Sequence, residues 1–80
     1  MKLRLIGKLV TIRTATIYDR GVVVEDEADG FVLEDAVFVG DTGDFAKYCA
    51  MAKPQGVSEF KIVGSVFVAR GAVCDIIVHK

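Results

Sequence analysis

The chain has 80 residues, 52% of them hydrophobic, and a net charge of −1. A chain this short makes one domain and is marginal on its own, so residues 1–80 are read as a single unit whose surplus apolar surface calls for a subunit interface. The two cysteines, Cys49 and Cys74, are far apart, and His79 is the single histidine, so no Cys/His metal centre can be assembled and two buried free thiols are expected rather than a disulfide.

No signal peptide and no membrane-length apolar run is present, which gives a cytoplasmic expectation. No catalytic triad, phosphate-binding glycine loop or metal-ligand pair occurs, so the chain is not expected to be an enzyme or to carry a cofactor. The small net charge hides a segregation. Lys2, Arg4, Lys8, Arg13 and Arg20 crowd the first 20 residues. Residues 21–44 hold Glu25, Asp26, Glu27, Asp29, Glu34, Asp35, Asp41 and Asp44 with no base, and bases return beyond residue 45. Such polarity either gives the fold opposite faces or only marks its turns and solvent sides.

In chain order, Leu9 to Thr14 reads as a strand with Val10, Ile12 and Thr14 on one face. Ala15-Thr16 is a turn without Gly or Asn. Ile17 to Glu25 is a second strand, in which Gly21 signals a bulge or bend. Phe31 to Val39 is a third. The intervening Asp29-Gly30 reads as a hairpin turn, with Gly supplying positive φ. A calcium loop is the other reading of this acidic stretch. With Gly30 at the sixth position, Glu25, Glu27 and Asp29 fall at ligand positions, but Ala36 stands where a bidentate Glu is needed and the flanks are strand-like, so the turn is preferred.

Residues 40–57 differ in composition. Ala46, Ala50 and Ala52 with Lys47 and Lys53 favour a short helix capped by Asp44 and stopped by Pro54, with Phe45, Cys49 and Ala52 on one face. Phe45, Tyr48 and Met51 are candidates for a partner surface, and Tyr48 beside Lys47 for base stacking. Phe60 to Ala69 and Ala72 to Val78 are the fourth and fifth strands, joined through Arg70-Gly71. Five short strands with a bend in the second give a mostly β chain, a small strongly bent antiparallel barrel.

Three pieces of the chain resemble Sm and Sm-like (LSm) proteins. Leu5-Ile6-Gly7-Lys8-Leu9-Val10-Thr11-Ile12 is similar to their first strand, "L-x-G-K-x-V-x-V". Asp26 to Ala36 resembles the end of the Sm1 motif, "D-x-x-M-N-L-x-L-x-D-A". Gly64 to Ile77 resembles Sm2, "G-x-V-x-I-R-G-x-x-V-x-x-I", with Arg70-Gly71 at its centre. The resemblance covers most of the chain outside residues 40–57, which are then an insertion.

The resemblance implies an Sm-like, SH3-like five-stranded barrel whose fourth strand pairs with the fifth strand of the next copy. That pairing closes a homo-oligomeric ring, the core of a ribonucleoprotein that binds single-stranded RNA around its pore. The pore positions map onto Ala28 for base stacking, Gly30 for reading the base edge, Arg70 with Gly71 for completing the pocket, and Asp26 for orienting it. Arg70 and Asp26 match the motif. Ala28 and Gly30 depart from it, and Asp29 adds an acidic group. The expected partners are therefore copies of the same chain and single-stranded RNA, with an atypical pore site. The alternative is a ring-forming scaffold or protein-interaction module without RNA. Arg70 also has a purely structural role open to it, pairing with Asp26 or Asp75. The basic amino end (Lys2, Arg4, Lys8, Arg13) offers nucleic acid a second face.

Overall fold

A computed structural model describes residues 4–79. Six antiparallel strands form one open sheet: β1 (Leu9–Arg13), β2 (Tyr18–Glu27), β3 (Gly30–Asp41), β4 (Ser58–Lys61), β5 (Val66–Ala69) and β6 (Asp75–Val78). A helix, α1 (Phe45–Ala50), lies between β3 and β4, and a 3-10 turn, Arg70–Ala72, joins β5 to β6. The order across the sheet is β4-β3-β2-β1-β6, with β5 also on β3. No helix among the described residues is long and apolar enough to cross a membrane.

β1 lies between β2 and β6, and its middle is buried on both faces. Successive strand side chains point to opposite sides, yet Val10, Thr11 and Ile12 are all fully buried. Val10 and Ile12 enter the main core with Leu5, Val23, Phe31, Leu33, Ala36 and Val68. Thr11 faces the other way, under α1, where its hydroxyl meets Tyr48. The expected alternation of Val10, Ile12 and Thr14 thus describes one face of a strand that has two. The β1–β2 turn falls at Ala15-Thr16 as expected, closed by Thr14 N–H donating to the Ile17 carbonyl at 3.0 Å.

Gly21 marks a bulge, as its sequence position suggests. Val22 pairs with Glu34 and Arg20 with Val37, so Gly21 alone opposes Asp35 and Ala36. Asp35 takes φ +52° there. A Cβ on Gly21 would stand 2.9 Å from the Glu34 carbonyl oxygen, so only glycine permits this approach. A second shift leaves Val24 unpaired between Val23 and Glu25. Bulges bend and twist the strands that carry them. The first also changes the phase of β3: Phe31, Leu33 and Ala36 join the main core, whereas the buried Val37 and Val39 do not.

The fourth expected strand, Phe60 to Ala69, is interrupted. β4 pairs with the Val37–Asp41 end of β3 and β5 with the Gly30–Leu33 end. The two segments lie in line on one side of β3, broken opposite the Asp35 bulge and at Gly64, whose φ is +101°. The fifth expected strand begins later than Ala72, because Arg70–Ala72 is spent on the 3-10 turn.

α1 has six residues and the expected cap, Asp44 Oδ1 accepting from Lys47 N–H at 3.2 Å. It ends before Ala52, so the expected Phe45–Cys49–Ala52 face never forms. Tyr48 is the helix's buried residue instead, and Phe45 stays 42% exposed. That removes Tyr48 from any partner or base-stacking surface. Both cysteines are free, but Cys74 is exposed and Cys49 only half-buried, so neither is the buried thiol expected.

Candidate functional site

The hairpin Glu27–Gly30 and the turn Arg70–Ala72 come together at one end of the sheet. Glu27 pairs with Gly30 across a two-residue turn, Ala28-Asp29. The Asp29 carbonyl accepts from the Arg70 backbone N–H at 2.9 Å, which ties the hairpin to the 3-10 turn. Arg70 Nη2 donates to Asp26 Oδ1 at 2.5 Å and to the Glu27 carbonyl at 2.7 Å. Its Cζ lies 4.4 Å from the centre of the buried Phe31 ring, within cation–π range. An open cleft of about 900 Å³ adjoins this arrangement, lined by Arg4, Leu5, Ile6, Asp26, Glu27, Ala28 and Arg70. Its two arginines face two carboxylates, so it presents no excess of positive charge.

The five pore positions that the resemblance assigns thus fall at one end of the sheet, and Asp26, Ala28 and Arg70 line the cleft. Arg70 and Asp26 form one ion pair, which decides between the two structural partners open to Arg70: Asp75 pairs with Arg13 instead. Ala28 lies exposed at the hairpin tip and lines the cleft. Gly71 is exposed in the 3-10 turn with nothing within 4 Å of a Cβ, so this site does not require glycine sterically.

Gly30 differs from expectation. It is the first residue of β3, outside the turn, and is not among the positive-φ residues. Its lack of a side chain answers a packing demand. A Cβ there would stand 2.4 Å from the Val68 carbonyl oxygen and 2.5 Å from Phe67 Cζ. Phe67, itself 54% exposed, therefore lies over the position where the resemblance places a base-reading side chain. The sequence pattern puts Phe67 in a strand and gives it no role, because strand patterning does not reveal which exposed aromatic will cover a distant glycine. Of the basic face, Arg4 lines the cleft, Arg13 is paired with Asp75, and Lys2 lies outside the described residues.

A second cluster was not anticipated. Arg20 grips Glu59 through two hydrogen bonds, 2.5 and 3.0 Å, and its Nη1 also reaches Tyr48 Oη at 3.4 Å. Tyr48 Oη lies 2.8 Å from Thr11 Oγ1, which lies 2.7 Å from His79 Nε2. His79 Nδ1 sits 3.1 Å from the Met51 carbonyl oxygen. A carbonyl only accepts, so Nδ1 carries the proton and Nε2 accepts from Thr11. The donors then run in one direction, from Arg20 through Tyr48 and Thr11 to His79 and the Met51 carbonyl. This relay fastens the helix and its following loop to the outer face of β1. The Arg20 guanidinium holds the Glu59 carboxyl below the usual carboxylate range.

Burial pushes the His79 imidazole below its ordinary value, with the Arg20 charge acting in the same direction. The folded state therefore binds a proton less readily than the unfolded chain, whose histidine titrates near 6.5. Stability is fully present above that value and declines as pH falls below it. Urea midpoints at pH 7.5 and 5.5 should show a drop in the native chain that largely disappears in His79→Gln. An equal drop in both would remove His79 as the cause.

Among the described residues, no group of three or more His, Cys, Asp or Glu side chains is placed to hold a metal ion. No family model, no curated protein and no solved structure matches the chain.

Proposed function

We propose that this chain is an Sm-like barrel subunit that assembles with copies of itself into a closed ring, β5 of one copy pairing with β6 of the next, and serves as a scaffold or protein-interaction module. The observation that carries it is a pair of half-used strands. Among the described residues, β5 is hydrogen-bonded to β3 alone and β6 to β1 alone. Each leaves a row of backbone groups that invites another strand. Exposed Phe60 and Val63 precede the β5 edge and Phe67 lies on it, apolar surface that a neighbour would cover. A head-to-tail contact between two different edges makes a ring when its rotation closes.

Barrel curvature fits the core. In a flat sheet of this order, β5 and β6 would lie about 19 Å apart, at about 4.8 Å per strand spacing. Yet Val68 of β5 shares a buried cluster with Ile12 of β1, and Ile76 of β6 packs against the same cluster. A curl in the sheet accounts for side chains from both of its ends joining one cluster.

The pore chemistry favours the scaffold over RNA. Gly30 has no room for a reading group, Ala28 offers little surface for stacking, and Arg70 is engaged by Asp26. Binding of single-stranded RNA by the ring is the second reading, favoured by one observation: Phe67, half exposed and three residues before Arg70, is an aromatic surface on which a base can stack.

Light scattering of the purified chain tests the assembly. A mass several times the 8.7 kDa of one chain is expected, and a monomer that persists at micromolar concentration overturns the ring. Fluorescence anisotropy with oligo-U and oligo-A at low salt separates the two roles. The scaffold reading expects no binding. Binding that Phe67→Ala weakens by the equivalent of about 1–3 kcal/mol, the worth of one base stack, would establish the RNA reading instead.

A further inference from the structure

We propose that Asp19 forms the floor of a binding site for a small organic cation, an alkylammonium or alkylguanidinium whose alkyl part lies against apolar walls. Asp19 sits in β2 between Ile12 of β1 and Phe38 of β3, on the side of the strand that carries Gly21 and Val23 inward. It is only 6% exposed. Among the described residues its carboxylate forms no ion pair and accepts no side-chain hydrogen bond, and burial alone raises its pKa above the ordinary value. The two arginines nearest in sequence are committed elsewhere, Arg13 to Asp75 and Arg20 to Glu59.

The carboxylate is not sealed in. It lines a cleft of about 550 Å³ between the β1–β2 turn and the β5–β6 connection, a size suited to a small ligand. Ile17, Phe38, Val68 and Val73 supply apolar walls, with Thr14 and Thr16 at the turn. The Asp19 carboxylate keeps only a narrow contact with solvent, which disfavours its charged form, and a proton or a cation relieves that cost. A bare ammonium gives up strong hydration to enter such a cleft. A cation on an alkyl stem recovers that loss by placing its stem on the walls and its N–H groups on the carboxylate. This cleft shares no lining residue with the Arg70 cleft, but its β5 wall, Val66 to Ala69, is the edge that the proposed ring gives to a neighbouring copy.

Amide shifts in 1H–15N spectra of the native chain, in whatever assembly it forms, provide the test. Butylammonium and butylguanidinium serve as probes and butanol as the uncharged control. Saturable shifts are expected around Ile17–Asp19 and Val73–Cys74 for both cations, with butanol binding weaker by about tenfold or more, as befits a charge-assisted hydrogen bond. Asp19→Asn should erase the preference for the cations. The same substitution should raise the urea midpoint, since burial disfavours the charged form of Asp19 and the substitution removes that charge. The site is overturned if the cations give no saturable shift, if butanol matches them, or if Asp19→Asn leaves the preference intact. It is also overturned if the probes are silent while Asp19→Asn changes the oligomeric mass, which would assign the cleft to a neighbouring copy.

Discussion

Tyr48→Ala is expected to remove about 3–5 kcal/mol of folding stability, a large fraction of the little that a chain of this length holds. Tyr48 is fully buried, and it is the buried residue of a six-residue helix. Helices this short do not persist in water without packing. Truncating a buried aromatic costs about 3–5 kcal/mol. At about 0.05–0.15 kcal/mol per residue, a chain of this length holds only about 4–12 kcal/mol in all. The ring of Tyr48 also stands edge-on to His79, centroids 5.4 Å apart, so its removal strips cover from the relay. Tyr48→Phe keeps the packing and loses one hydroxyl. It should cost about 1–2 kcal/mol, because Thr11 keeps its bond to His79 while Arg20 keeps Glu59. Urea denaturation of the three proteins measures both steps. A loss under about 1 kcal/mol in Tyr48→Ala would mean that the helix is not part of the cooperative fold.

Much of the sheet was readable because its determinants are local. The β-branched runs of β1 to β3, the Ala15-Thr16 turn, the bend at Gly21 and the Asp44 cap each follow from a few adjacent residues. What escaped depends on contacts across the chain. Apolar spacing favoured Phe45 as the inward residue of α1. The inward residue is Tyr48, because Thr11, 37 positions away, offers it a hydroxyl partner on the far face of β1. The break in the fourth strand falls opposite the Asp35 bulge in its neighbour, and within Phe60 to Ala69 Gly64 is its one local sign. The Arg70–Asp26 pair was one of two partnerships open to Arg70, and the register that brings the Glu27 hairpin to the 3-10 turn selects it. The relay eluded sequence reasoning for the same reason: Arg20, Glu59 and His79 are ordinary surface residue types until the fold stacks them on one side of β1.

Gly30→Ala should be disproportionately damaging for the addition of a single methyl group. The new Cβ meets two neighbours, and they differ in how they can respond. The Phe67 ring is half exposed and can swing aside. The Val68 carbonyl oxygen, 2.4 Å from the Cβ position, belongs to the backbone of β5. Relief therefore requires β3 and β5 to separate at Gly30–Ala69, the end of their ladder nearest Arg70. Overpacking of this kind costs about 1–3 kcal/mol. It falls on the strand that carries Val68 into the core and that, in the proposed ring, gives its open edge to a neighbour, so a ring built on that edge should loosen along with the fold. Gly71→Ala is the control, since nothing stands within 4 Å of its Cβ and its φ is not positive. Removing that glycine should be neutral or mildly stabilising through the unfolded chain. The contrast also bears on the pore site that the resemblance implies. Asn is the residue that the Sm1 resemblance places at position 30, and Gly30→Asn carries the same Cβ into the same carbonyl. Restoring a base-reading amide there would disturb β5 before it could meet a base. Urea midpoints and light-scattering masses for Gly30→Ala, Gly30→Asn and Gly71→Ala check the argument. Equal stability of Gly30→Ala and Gly71→Ala would show that β5 is not held against Gly30 as described.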